Sequence, residues 1–222
     1  MSEKPILMNG EMVRAILDGR KTQTRRVIKP QPFIAMANGG SIEWVGVNKR
    51  AGGVGIDEFS QSMLIHTPYA VGDTLWARET WLLNGTPSLD KLRIQFKVGD
   101  ERPHDKNYIG YLVRRYALKH YEDAKRMYLT HERKWRPSIH MPRWAARIFM
   151  TVNTVRVERV QDISEEDAKA EGVSPENAQL YGRGGAYQNG FWELWDSINE
   201  KRGYGWDVNP YVWVYEFERE KS

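Results

Sequence analysis

The chain has 222 residues, with 33 Lys and Arg against 29 Asp and Glu, 9 Trp and no Cys. The length suits one domain with insertions, and the missing cysteine excludes disulfides, thiolate nucleophiles and Cys-ligated zinc. A net charge of +4 with 12% aromatic residues fits work on nucleic acid, where phosphates need cations and bases need flat surfaces.

In chain order, residues 5–8 read as a short strand, and Asn9 or Gly10 caps the helix that follows. Over Glu11 to Asp18, Met12, Ala15 and Ile16 share one helical face, flanked by Val13 and Leu17. Gly19 stands where a glycine ends a helix. Lys21 to Ile28 is polar, and Pro30 and Pro32 close it. Residues 33–61 are glycine-rich and read as a hairpin or excursion, with one short strand at Ile42 to Val47. Tyr69 to Asp73 is a turn into a strand over Thr74 to Trp81. There Leu75, Ala77 and Glu79 share one side, and Trp76, Arg78 and Thr80 the other. A second variable stretch, Gly85 to Asp105, carries a short strand around Leu92 to Val98.

Tyr108 to Tyr116 reads as a strand and His120 to Thr130 as a basic helix. Trp135 to Trp144 is extended and punctuated by proline, which places Ser138 and His140 on one face. Arg147 to Val160 alternates cleanly and is the strongest strand signal in the chain. Ser164 with Asp167 three residues on resembles a capping box, for a helix that ends at Gly172. Ser174 to Gly190 is loop. Phe191 to Asn199 is a helix with Trp192, Trp195 and Ile198 at core spacing, and Tyr211 to Glu218 is a final strand. The sum is a mixed α/β (α+β) domain over 1–222, a small β-barrel with peripheral helices. Its variable excursions fall at about 33–62, 85–107 and 174–190.

Charge is unevenly placed. Residues 1–30 carry seven Lys and Arg against three acids, and residues 111–147 carry ten against three. Residues 161–222 reverse the balance, with six against thirteen. Such asymmetry builds a positive face for a polyanion, or is neutralised internally where the acidic end meets basic segments. No long apolar stretch marks a signal peptide or a bilayer span, so a cytoplasmic protein is expected. The five histidines lie at no metal-ligand spacing, and no metal or other cofactor is expected.

Gly19 to Arg26 (GRKTQTRR) is the densest chemistry. It follows a helix end, so backbone amides and the cations Arg20, Arg25 and Arg26 can meet in one loop to cradle an anion or nucleotide. By itself the pattern also suits a solvated basic turn. Bases can stack on Trp76, Trp81 or Trp144, with Arg143 beside the last, although a tryptophan is more often core. Ser138 and His140 lack a nearby acid for a hydrolytic triad.

In its context the loop closely resembles the opening of ASCH-domain proteins of the PUA-like superfamily, in the longer form found in bacteriophages and prophages. The resemblance runs through ILMNGEMVRAILDGRKTQTRR (Ile6 to Arg26), GDTLWARETW (Gly72 to Trp81), WRPSIHMPRWAAR (Trp135 to Arg147), VERVQDISEEDAKAEG (Val157 to Gly172) and the end from Phe191 to Phe217. It implies a PUA-like barrel, a cleft edged by the Gly19 to Arg26 loop, and binding of RNA, single-stranded DNA or a modified nucleoside. One branch it resembles removes acetate from N4-acetylcytidine with a lysine, a threonine and a glutamate. Carried over, these are Lys21, Thr24 and Glu79. This chain is about double the length of that branch, so its excursions reshape or cover the cleft. Amide hydrolysis needs an activated nucleophile, a holder for the oxyanion and an acid for the leaving amine. Lys21, Glu79 and Thr24 supply an amine, a carboxylate and a hydroxyl for these tasks, while a Lys21–Glu79 ion pair is the structural alternative. A metal-free ribonuclease and a phage accessory protein that binds a host protein are the other readings the sequence leaves open.

Overall fold

In the computed structural model, residues 2–36, 42–45, 67–84, 93–98, 123, 125–127, 129, 134–174 and 185–220 are described. Nine strands occur there: β1 (Glu3–Leu7), β2 (Gln23–Val27), β3 (Phe33–Met36), β4 (Ile42–Val45), β5 (Thr74–Arg78), β6 (Trp81–Asn84), β7 (Arg93–Phe96), β8 (Phe149–Arg159) and β9 (Tyr211–Arg219). Joining them are the α-helices α1 (Gly10–Leu17), α2 (Glu165–Ala170) and α3 (Ala186–Asn199). The fold is mixed α/β, with a five-stranded mixed sheet in the order β1-β5-β8-β9-β2 and two hairpins, β3-β4 and β6-β7. Strand β1 runs parallel to β5, with Ile6 opposite Ala77. The β5–β8 and β2–β9 pairs are antiparallel. Among the described residues these sheets are open, and no closed barrel is found. Among the same residues, no helix is long and apolar enough to cross a membrane.

The chain divides into two compact units, each built from separate stretches of sequence. The first comprises Met1–Lys21, Gly72–Val152 and Glu218–Ser222. Its apolar cluster gathers Trp76, Trp81, Leu83, Ile94, Phe96, Met141, Ala145 and Ala146. Asp73 anchors the chain start: it accepts from the Ser2 amide at 3.0 Å, the Ser2 hydroxyl at 2.8 Å and Lys4 Nζ at 2.7 Å. Helix α1 begins where Asn9 Oδ1 accepts from the Met12 amide at 2.8 Å, which satisfies one of the free N–H groups of a first turn. Asn9, and not Gly10, is therefore the cap.

The second unit comprises Thr22–Val71 and Asn153–Phe217. Its core joins Val160, Ile163, Ala168, Val173, Phe191, Trp195, Val212 and Val214. Ser164 Oγ caps α2 by accepting from the Asp167 amide at 3.0 Å, as the sequence pattern predicts. Helix α3 departs from expectation in length and in face. It begins at Ala186, five residues before Phe191, inside the stretch read as loop. Its buried positions are Gly190, Phe191, Trp195 and Asn199, the last three on one face of the helix at four-residue spacing. Trp192 and Ile198 are half-buried, and Trp192 Nε1 instead donates to Asp196 Oδ2 at 2.7 Å.

Other expectations shift locally. Gln23 to Val27, read as part of a basic loop, is strand β2, so only the start of the GRKTQTRR motif is a turn. Ser138–His140 and Arg143–Ala145 are 3-10 turns, so Ser138 and His140 do not alternate along an extended backbone. Pro137 and Pro142 stand at the cap positions just before those turns, outside the hydrogen-bonded part, where a missing N–H costs nothing. Tyr108 to Tyr116 lies outside the described residues, as do most of the excursions. Within His120 to Thr130 the described residues 123, 125–127 and 129 are helical.

Candidate active site

Helix α1 ends in a tight reversal that delivers Lys21. Asp18 N donates to Arg14 O at 2.9 Å, and Gly19 N to Ile16 O at 3.1 Å. The Arg20 and Lys21 amides both converge on Ala15 O, at 2.8 and 3.0 Å. Gly19 makes this possible with φ +75°, a left-handed conformation that a Cβ disfavours. Arg20 remains exposed and pairs with Asp18 Oδ2 at 3.1 Å. Lys21 turns inward and keeps only 2% of its surface.

Glu79 reaches the interior of the same unit by strand alternation. Leu75, Ala77 and Glu79 are buried in sequence along and just past β5, because alternate side chains face one side. Glu79 is 2% exposed, and its amide donates to Met141 Sδ at 3.3 Å. Its carboxylate is held by Arg147. Arg147 Nε donates to Oε1 at 2.9 Å and Nη2 to Oε2 at 2.7 Å. Nη2 also donates to the Val98 carbonyl at 2.6 Å, and the guanidinium sits 4.0 Å from the centre of the Phe96 ring. Arg147 is absent from the sequence-based candidates. Its immediate neighbours, Trp144 to Ala146 and Ile148 to Met150, are apolar, and nothing in periodicity places it against a carboxylate sixty-eight positions away.

Thr24 lies in the second unit, buried on β2, with Tyr215 of β9 as its register partner. Tyr215 Oη and Thr67 Oγ1 are 2.9 Å apart, and the Tyr69 ring meets Tyr215 edge-on at 5.1 Å. Burial pushes the Tyr215 hydroxyl up to about 12. Arg26, two residues along the same strand face, has its pKa lowered chiefly by desolvation; Tyr69, Glu171 and Tyr215 act the other way.

Arg25 faces the opposite side of β2. Its side chain has no exposed surface. Nη2 donates to Glu158 Oε2 and Asp167 Oδ2, both at 2.9 Å, and Nη1 reaches Glu171 Oε1 at 3.3 Å and Gln23 Oε1. Arg156 joins the cluster through Asp167 at 3.0 Å, Glu158 and Glu216. The acidic end of the chain thus neutralises part of the basic front. A guanidinium enclosed in this way does not meet a phosphate, so Arg25 is structural and not a nucleic-acid contact.

The tryptophans divide similarly. Trp76 and Trp81 belong to the apolar core of the first unit, where no base can stack on them. Trp144 is half-buried and meets Trp81 edge-on at 5.8 Å. Arg143 forms a fork on Glu3, at 2.6 and 2.8 Å, over the Phe149 ring at 4.3 Å. Among the described residues, no group of three or more His, Asp or Glu side chains is placed to hold a metal ion. Comparison with protein-family models, curated proteins and solved structures found no match.

Proposed function

We propose that this chain is a PUA-like, ASCH-type protein of the cytoplasm that binds a modified nucleoside and hydrolyses an N4-acylcytidine-type amide. The observation that carries the reading is the burial of Lys21 and Glu79, each 2% exposed, in one unit. Lysine and glutamate almost never lie so deep unless paired, and an apolar core has no use for them. Ionisable groups taken out of water concentrate where chemistry is done. The same two positions are those the family resemblance marks, and the resemblance adds Thr24, itself buried.

The chemistry is a metal-free amide cleavage. Water adds to the acyl carbon, the C–N bond breaks, and the leaving amine takes a proton, giving a carboxylate and the free exocyclic amine. Glu79, held as an acceptor, suits removal of the proton from water. The ammonium of Lys21 suits stabilisation of the oxyanion and return of a proton to the amine. Arg20, exposed and paired with Asp18, suits a contact with phosphate when the nucleoside sits in RNA.

Incubation of the full chain with N4-acetylcytidine, followed by chromatography of cytidine release, tests the proposal. Turnover is expected, with loss of about 10²–10⁴-fold in Lys21→Ala and in Glu79→Gln. Turnover that survives both substitutions together rejects this site. Nucleoside binding without turnover reduces the protein to a binding module.

A further inference from the structure

We propose that Arg147 is the positioning residue for Glu79 in this hydrolysis, a role that rests on the functional reading above. The fork of Arg147 matches the carboxylate atom for atom, Nε to Oε1 and Nη2 to Oε2. The clamp grips both carboxylate oxygens at once and so sets the plane of the Glu79 carboxylate. Two parallel charge-assisted bonds leave the carboxylate little freedom to rotate.

Arg147 is itself over-determined. The Val98 carbonyl takes a further hydrogen from Nη2, and the Phe96 ring lies against the guanidinium plane. Phe96 ends β7 and is buried in the apolar cluster of the first unit. The β6-β7 hairpin therefore fixes the guanidinium, and the guanidinium fixes the carboxylate. Both side chains are almost wholly enclosed, at 7% and 2% exposure. A catalytic carboxylate that must meet a water at one angle gains from such a chain of supports, because small misplacements of a reacting group are costly. Lysine offers one point charge and cannot span both oxygens. Arg147→Lys therefore keeps the buried charge paired while releasing the rotation of Glu79.

The test is steady-state hydrolysis of N4-acetylcytidine by the full chain, as wild type, Arg147→Lys and Arg147→Ala, with folding checked by near-UV circular dichroism. A positioning role lowers kcat about a hundred-fold in Arg147→Lys and leaves KM within about two-fold. Low concentrations of guanidinium ion then raise kcat of Arg147→Ala saturably, because the ion refills the space of the fork. Turnover by wild type with kcat unchanged in folded Arg147→Lys overturns the inference and leaves the functional reading standing. A lower melting temperature with unchanged kcat, or a kcat that guanidinium does not restore, does the same. Absence of wild-type turnover overturns the functional reading itself. Arg147→Lys carries the test if Arg147→Ala does not fold.

Discussion

Arg25 Nη2 lies 2.9 Å from Asp167 Oδ2, joining strand β2 to the first turn of helix α2. The contact is one of several that enclose the Arg25 guanidinium among Glu158, Asp167, Glu171 and Gln23. Removing that cation leaves carboxylates facing one another without compensation, which costs more than the pair contributes when intact. Arg25→Met is expected to destabilise the protein by about 3 kcal/mol, read from urea denaturation. An unchanged midpoint and slope would rule out a structural role for this network.

The same network predicts acid sensitivity. Burial raises the Asp167 pKa, but hydrogen bonds from Gln23 and Arg25 and the charges of Arg25 and Arg156 leave it below its ordinary value of 3.8. A hydrogen bond from Thr154 and then the contacts with Arg156 and Gln23 lower Glu216 below 4.5. A carboxylate depressed in the folded state contributes stability above its unfolded pKa and loses it as pH falls through the folded value. Stability should thus hold from neutral pH down to about pH 4.5 and decline below it. Thermal melts in a pH series check this, and Glu216→Gln should flatten part of the decline.

Tyr215 acts at the other end of the scale. Its folded pKa of about 12 exceeds the ordinary 10.0, mainly through burial, with Thr67 opposing. A raised tyrosine pKa means the neutral hydroxyl is favoured in the fold. Its contribution is complete below pH 10 and lost as pH rises from 10 towards 12. Tyrosinate absorbance should include a late-titrating component that is lost in Tyr215→Phe.

Gly19 adopts φ +75° with nothing within 4 Å of a built Cβ, so only backbone conformation opposes a side chain there. Gly19→Ala is expected to cost about 1–2 kcal/mol, and Gly19→Asn less, because asparagine tolerates the left-handed region. Both are read by urea denaturation. Equal losses in the two variants would show that space, and not φ, decides this turn.

Much of the fold is legible in the residues. Alternation in Ile148, Met150 and Val152 marks β8, and all three are buried. The spacing of Ser164 and Asp167 marks the start of α2, and the glycine after α1 marks its end. Glu79 is buried just past the end of β5, on the side that the alternation of Leu75 and Ala77 predicts. Local pattern suffices for these because each depends on neighbours within a turn or a pleat.

What the tertiary structure decided is which polar groups meet across long stretches of chain. Arg25 and Arg20 are near neighbours in the same basic motif. One is enclosed by acids more than 130 positions away, and the other is exposed on a turn. Composition cannot separate them, because burial of a charge is set by the partners that arrive from elsewhere. The same holds for Arg147: its grip on Glu79 follows from the placement of the strand carrying one and the segment carrying the other. The residue types available for chemistry, lysine, threonine and glutamate without cysteine, were set by the sequence alone. Which of them is buried, and what holds it in place, came from packing, because only there is the cost of desolvating each charge met by a specific neighbour.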